Sequence, residues 1–221
     1  MTDQLPETAR DQQPFSVPLT RTCPNAVETH TWNGRPVPAG YVDMIDEFRT
    51  LLNRVAGAAP GSELVPHATA LVADLNARLA DCEVTESDQL SGRLVTSPGR
   101  AQLAVPAVHI DEVDDLHVTG RVRFGRHYLG SNGCVHGGSI PLLFEDLLGR
   151  LALNGGRLRS RTAFLHVDYR SVTPIGTDLR VEAHFERDEG RKRYLRASLH
   201  CGERLCAEAH GLFVALRPGQ R

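Results

Sequence analysis

Apolar residues recur at spacings of three and four in two early stretches of the chain. Tyr41, Ile45, Phe48, Leu52 and Val55 mark the first, closed by Gly57 and Pro60. Ala68, Leu71, Leu75, Leu79 and Cys82 mark the second, after Pro66. The periodicity predicts two amphipathic helices with one apolar face each. Such a helical hairpin must pack on something, and the C-terminal half is the natural partner. Residues 1–40 are polar, carry several prolines and read as an irregular arm. Residues 84–112 suggest extended segments around Leu94 and Leu103–Ile110, broken by Pro98 and Pro106.

From about residue 115 the period changes. Leu116, Val118, Gly120, Val122 and Phe124 alternate with polar residues, as a half-buried strand requires. A glycine-rich turn, Gly130 to Gly138, leads into a run from Ile140 to Leu153 that is apolar apart from Glu145, Asp146 and Arg150. That run is too long and too rich in leucine for a strand, so it reads as a mostly buried helix. Pro141 fits in its first turn, and Gly155-Gly156 ends it. Four alternating runs follow, around Leu165–Tyr169, Leu179–Phe185, Leu195–Leu199 and Leu205–Leu216, with turns at Gly190 and Gly202. Short connections demand antiparallel neighbours, which predicts a four-stranded meander. The one apolar partner of matching length for its buried face is the helix. The expected fold is therefore α+β, an antiparallel sheet wrapped around a long central helix, the hotdog architecture. Three regions result: an irregular arm (1–40), a helical hairpin and extended linker packing on the core (41–111), and the hotdog domain (112–217).

Chemistry concentrates where the glycine-rich turn meets the helix. A helix N-terminus leaves backbone N–H groups without partners at the positive end of its dipole. Gly137 and Gly138, after His136, would let a ligand oxygen approach those N–H groups, a nest suited to a developing oxyanion. A tight turn needing glycine only for its conformation stays open as the alternative. The two carboxylates differ in surroundings. Asp146 has Arg150 four residues on, a surface pair. Glu145 has only Pro141, Leu142, Leu148 and Gly149 three and four residues away, none able to neutralise it. It reads as an unpaired acid on a buried helix, facing a functional cavity, with burial raising its pKa toward that of a useful base. Eight residues separate Gly137 from Glu145, roughly 12 Å along a helix. One chain cannot easily bring both to one carbonyl; two antiparallel copies can, which points to a site at a dimer interface.

Composition narrows the class. The net charge of -2 gives no basic field for nucleic acid or anionic lipid. No apolar run approaches a membrane span, and no apolar segment follows a basic start as in a signal peptide. Five scattered cysteines do not suggest a disulfide framework. A soluble cytoplasmic protein is expected. Cys134 beside His136 reads as packing, and His200, Cys201, Cys206 and His210 would not share one strand face, so no metal is expected. Neither a G-x-S-x-G elbow nor a P-loop lysine is present.

The segment resembles the phenylacetate-degradation (PaaI) family of hotdog acyl-CoA thioesterases, which includes the animal thioesterase superfamily members. The resemblance covers about residues 112–217 and is anchored by His136-Gly137-Gly138, an acid nine residues after the histidine, and a Thr near the next strand. It implies that His136 and Gly137 form the oxyanion turn. It makes Glu145 general base or nucleophile, and it gives Thr162 the placing of the attacking water. Val172-Thr-Pro174 is similar to the family's turn after that strand. Two departures stand out. The acid is Glu where the family most often has Asp, with Asp146 adjacent and able to serve instead. Asn132 lies four residues before the histidine, where the family's asparagine lies about six before. Gly138, Asn132, Arg157 and Arg159 are the expected substrate contacts. Arg157–Arg161 or Arg191–Arg193 could meet the phosphates of coenzyme A, although a solvated loop explains both sets as well.

The expected activity is acyl-CoA hydrolysis by a homodimer or dimer of dimers, with no cofactor beyond the coenzyme A of the substrate. Two rivals stay open. One is a hotdog enoyl-CoA hydratase or dehydratase using His127 or His166 as its imidazole; the other is a non-catalytic acyl-CoA-binding module.

Overall fold

The computed structural model describes residues 31–32, 35–217 and 219–220. The expected arm lies mostly outside them. Its described part is a two-stranded ribbon, β1 (Thr31–Trp32) against β2 (Arg35–Pro36). Helices α1 (Tyr41–Gly57) and α2 (Leu64–Ala80) follow, the second tolerating Pro66 in its first turn. Then come β3 (Val108–Val113), β4 (His117–Arg123), helix α3 (Ser139–Leu153) and strands β5 (Ser160–Tyr169), β6 (Asp178–Glu189), β7 (Lys192–Cys201) and β8 (Arg204–Ala215).

The six long strands form one antiparallel sheet in the order β3-β4-β6-β7-β8-β5. It curls around α3, the hotdog arrangement. Phe144, Leu143, Leu147, Leu148 and Leu151 of the helix are fully buried against Phe124, Leu179, Val181, Leu195 and Leu199. The alternation along β6 and β7 explains the choice of face, because apolar residues at every second position can reach one common side.

Two expectations need correction. The last four strands are not a meander: β5 lies at the far edge beside β8, while β6 pairs with β4. The reason is the Arg170–Thr177 connection, which is no hairpin turn but is tied to the turn before α3. Val135 N–H donates to Thr173 O at 2.9 Å, Ile175 N–H to Gly133 O at 3.0 Å, and Gly176 N–H to Phe124 O at 2.9 Å. These bonds carry the chain from the sheet edge back to its middle. The second correction concerns the helical hairpin. α1 meets the body at Arg126–Tyr128 and buries Ile45 with Leu94 and Ala101 in a small separate cluster. α2 buries no residue, and Leu71, Val72, Leu75 and Leu79 are exposed.

Candidate functional site

Helix α3 is buried on nearly all sides. Its inner residues meet the sheet, and Asp146 faces the Leu94–Ala101 loop. A single stripe, Gly138, Leu142, Glu145, Gly149 and Leu153, runs along the side next to β5; Gly149 is half-buried and the other four are exposed. Residues at such spacings fall on one helical face.

Glu145 and Thr162 meet on that stripe. The Thr162 hydroxyl donates to Glu145 Oε1 at 3.1 Å, across seventeen residues of sequence. Strand β5 arranges this. Thr162 stands opposite the inward-facing Phe213, and a bulge between Thr162 and Phe164 then turns Phe164 to the outer face opposite Leu212. Glu145 is therefore not the buried, unpaired acid expected. It is exposed in this chain and its partner comes from a strand, which no count of helical neighbours could reveal.

Asp146 is not the surface pair expected either. Only 2% of it is exposed. Its Oδ2 accepts from Arg150 Nε at 2.8 Å, and its Oδ1 lies 2.7 Å from Arg100 Nε. Burial pushes the Arg150 guanidinium down, with the Asp146 charge opposing. Arg150 also donates to Val95 O at 3.0 Å, and Arg49 of α1 donates to Pro98 O and Gln102 O at 2.9 and 2.8 Å. The loop so held has three successive residues with positive φ, Gly99, Arg100 and Ala101. Two of them are not glycine, and that strain of roughly 1–2 kcal/mol per residue needs such anchoring. Of the two adjacent acids, only Glu145 reaches solvent.

The His136–Gly138 turn lies at the N-terminal end of the same stripe. Gly138 N–H donates to His136 Nδ1 at 3.0 Å, which fixes the ring over the helix start. Tyr169 of β5 donates its hydroxyl to Gly137 O at 2.8 Å and pins the turn from outside. Nothing in the sequence had singled out Tyr169. Gly137 N–H meets no acceptor among the described residues. Neither Gly137 nor Gly138 has positive φ, so neither needs to be glycine for its conformation. The nearest atoms a Cβ on Gly137 would meet are those of the Tyr169 phenol, at 3.7–3.8 Å, an ordinary van der Waals distance. With conformation and packing both permissive, the missing side chain leaves the space outside the N–H open to an approaching atom.

The remaining candidates separate. Asn132 is an exposed turn residue with φ +51, and its carbonyl accepts from the Cys134 thiol. Arg157 donates to the carbonyls of Asp115 and Asn154 and lies 4.3 Å over the Phe185 ring, so its guanidinium is already occupied. Arg159 is exposed. His127 turns toward α1, with Nδ1 2.8 Å from Asn53 Oδ1, and burial and Arg49 lower its pKa. Burial pushes the neighbouring Tyr128 phenol up to about 12. His166 pairs across strands with His210 on the outer sheet face, 3.4 Å from Asp168. Neither imidazole shares the stripe with Glu145. Among the described residues no group of His, Cys, Asp and Glu is disposed to hold a metal ion, and no helix is long and apolar enough to cross a membrane.

Known structures and sequences resemble this chain in fold and in part of its length. The crystal structure of a thioesterase superfamily protein superposes with a TM-score of 0.70 at 22% identity, covering 80% of this chain and 92% of the other. The two proteins thus share one fold, the hotdog fold. In sequence, the chain is 30% identical over 96 residues to acyl-coenzyme A thioesterase THEM4 of Rattus norvegicus, covering 42% of this chain and 41% of that protein. It is 25% identical over 148 residues to THEM4 of Bos taurus, covering 66% and 61%. The chain therefore spans less than two thirds of these relatives' length. No protein-family model matches it.

Proposed function

We propose that this protein is a PaaI-like hotdog thioesterase that hydrolyses an acyl-CoA to the free acid and coenzyme A, in a site shared between two copies of the chain. The observation that carries this is the Thr162–Glu145 hydrogen bond at the exposed stripe of α3, in a fold whose sequence relatives bear the name acyl-coenzyme A thioesterase.

Glu145 takes a proton from a water that Thr162 helps to hold, and the water oxygen attacks the thioester carbon. The carbonyl oxygen becomes an oxyanion against the Gly137 N–H of the second copy, where the positive end of the helix stabilises it. The C–S bond then breaks, and the thiolate leaves and takes up the proton. A shared site is supported by the length of α3 between Gly137 and Glu145, roughly 12 Å. It is supported too by the outer edge of β5, ten residues long and flanked by the exposed Leu142, Leu153 and Tyr169. An unpaired edge of that length invites pairing with another copy.

Thiol release from a panel of acyl-CoAs tests the reading. The wild type should turn over, and Glu145→Gln should lower kcat by about 100-fold or more without changing the melting temperature. Loss through Asp146→Asn alone, at unchanged stability, would move the base by one residue. No thiol release from any acyl-CoA would sink the proposal and leave the binding-module reading.

A further inference from the structure

The peptide between Gly137 and Gly138 is the one link of the turn with glycine on both sides. Neither residue has a Cβ to restrict rotation of that peptide plane, so its orientation depends on what its two polar ends meet. Each end is held by a side chain. The Gly138 N–H donates to His136 Nδ1 at 3.0 Å, and the Gly137 carbonyl accepts from the Tyr169 hydroxyl at 2.8 Å. The backbone alone offers that carbonyl the Ile140 N–H, at 3.4 Å. Because the peptide is planar, with N–H and C=O on opposite sides, a grip on the oxygen also sets the direction of the N–H.

Tyr169 reaches the turn from a fixed base. It stands opposite the buried Ala207 of β8. Just beyond it, the Arg170 and Ser171 N–H groups both donate to Cys206 O, at 2.8 and 3.0 Å, and Ser171 Oγ donates to Leu205 O at 2.7 Å. The Tyr169 side chain itself is 55% exposed, so it adds little to the core; its polar contact is with the turn. The same strand carries Thr162, whose hydroxyl bonds Glu145. Strand β5 thus supplies a hydroxyl to each end of the stripe, Thr162 to the acid and Tyr169 to the turn.

We infer that Tyr169 is a positioning residue for thioester hydrolysis, holding the Gly137–Gly138 peptide so that the turn presents N–H groups and no carbonyl oxygen to the substrate; the inference rests on the acyl-CoA reading above. Turned over, the same peptide would point its oxygen to the side where the helix start offers its N–H groups, and it would release the His136 ring. A carbonyl oxygen there opposes the charge that develops on a thioester oxygen. The phenol also lies within van der Waals reach of a side-chain position on Gly137, so its ring bounds the open space beside that residue. In a site shared by two copies, Thr162 serves the acid of one chain and Tyr169 the turn of the other.

The test removes the hydroxyl and keeps the ring. Tyr169→Phe should lower kcat for acyl-CoA hydrolysis about tenfold, as expected for one lost hydrogen bond, with KM and melting temperature unchanged. A loss confined to kcat marks an interaction felt in the transition state, which a merely structural contact would not give. The pH profile should keep its shape, because Glu145 and Thr162 are untouched. Nuclear magnetic resonance gives a second readout: ¹⁵N relaxation dispersion at the Gly138 amide should be flat in the wild type and show exchange in the variant, as the peptide samples its second orientation. An unchanged kcat overturns the inference, and so does a flat Gly138 profile in the variant. A displaced pH profile overturns it too, because Tyr169 would then act on the acid. If the wild type hydrolyses no acyl-CoA, the proposed function falls, and the Gly138 amide still decides whether Tyr169 holds the peptide.

Discussion

Helices α2 and α3 are alike in length and in the spacing of their apolar residues, yet α3 buries nine residues and α2 none. The difference lies in what each meets. α3 runs along the concave side of a six-stranded sheet whose alternating residues converge on it, while α2 finds no such surface among the described residues. Periodicity states which face a helix can offer. It does not state whether anything receives that face.

Substitutions along the two helices should divide sharply. Phe144→Ala removes a fully buried ring from between α3 and the sheet and should cost about 3–5 kcal/mol, read from chemical denaturation. Asp146→Ala leaves two arginines facing each other at a buried position and should cost about 3 kcal/mol. The lower end of that range applies because Arg100 is 27% exposed. A loss under 1 kcal/mol would mean that the Arg100–Asp146–Arg150 cluster holds nothing together.

A smaller effect belongs to the seam between α1 and the body. His127 has its pKa lowered by burial and by Arg49. Between that lowered value and the usual value near 6.5, the unfolded chain binds a proton that the folded one does not. Its contribution is therefore present above about pH 6.5 and is lost as the pH falls toward the folded value. The stability gap between wild type and His127→Gln should narrow from pH 7.5 to pH 5.5; a constant gap would remove His127 from the seam's pH response. The smallest effect is expected from Leu75→Ala on α2, within about 0.5 kcal/mol. A loss of 2 kcal/mol or more would show that this helix is covered in solution.

Much of the architecture was readable from the residues. α3 and strands β4 and β6 to β8 follow their apolar periods closely, because each has a full apolar side to bury; α1 also follows its period, although it buries only Ile45. β3 was not distinct, since only Val108 of its six residues is buried and the strand lies at a sheet edge. The position of β5 was not readable either, because its displacement depends on backbone bonds between Val135 and Thr173 and between Ile175 and Gly133. In the site, the family resemblance named Glu145 and Thr162, and the fold joins them. The surroundings of Asp146 were misread because Arg100 comes from forty-six residues upstream, on a left-handed turn no helical spacing encodes. Tyr169 was overlooked for a similar reason: its hydroxyl serves a carbonyl on another element.

That left-handed turn has a consequence for how this chain can be inherited. The Arg100 guanidinium and the Val95 carbonyl belong to the N-terminal extension, while Asp146 and Arg150 belong to the central helix beside Glu145. A recombination joint placed just before β3 would keep every strand of the six-stranded sheet and helix α3 intact. It would nonetheless strand a buried carboxylate with half its partners. Extension and helix are therefore exchangeable only as one unit, because a chimera that takes one without the other leaves Asp146 with Arg150 alone.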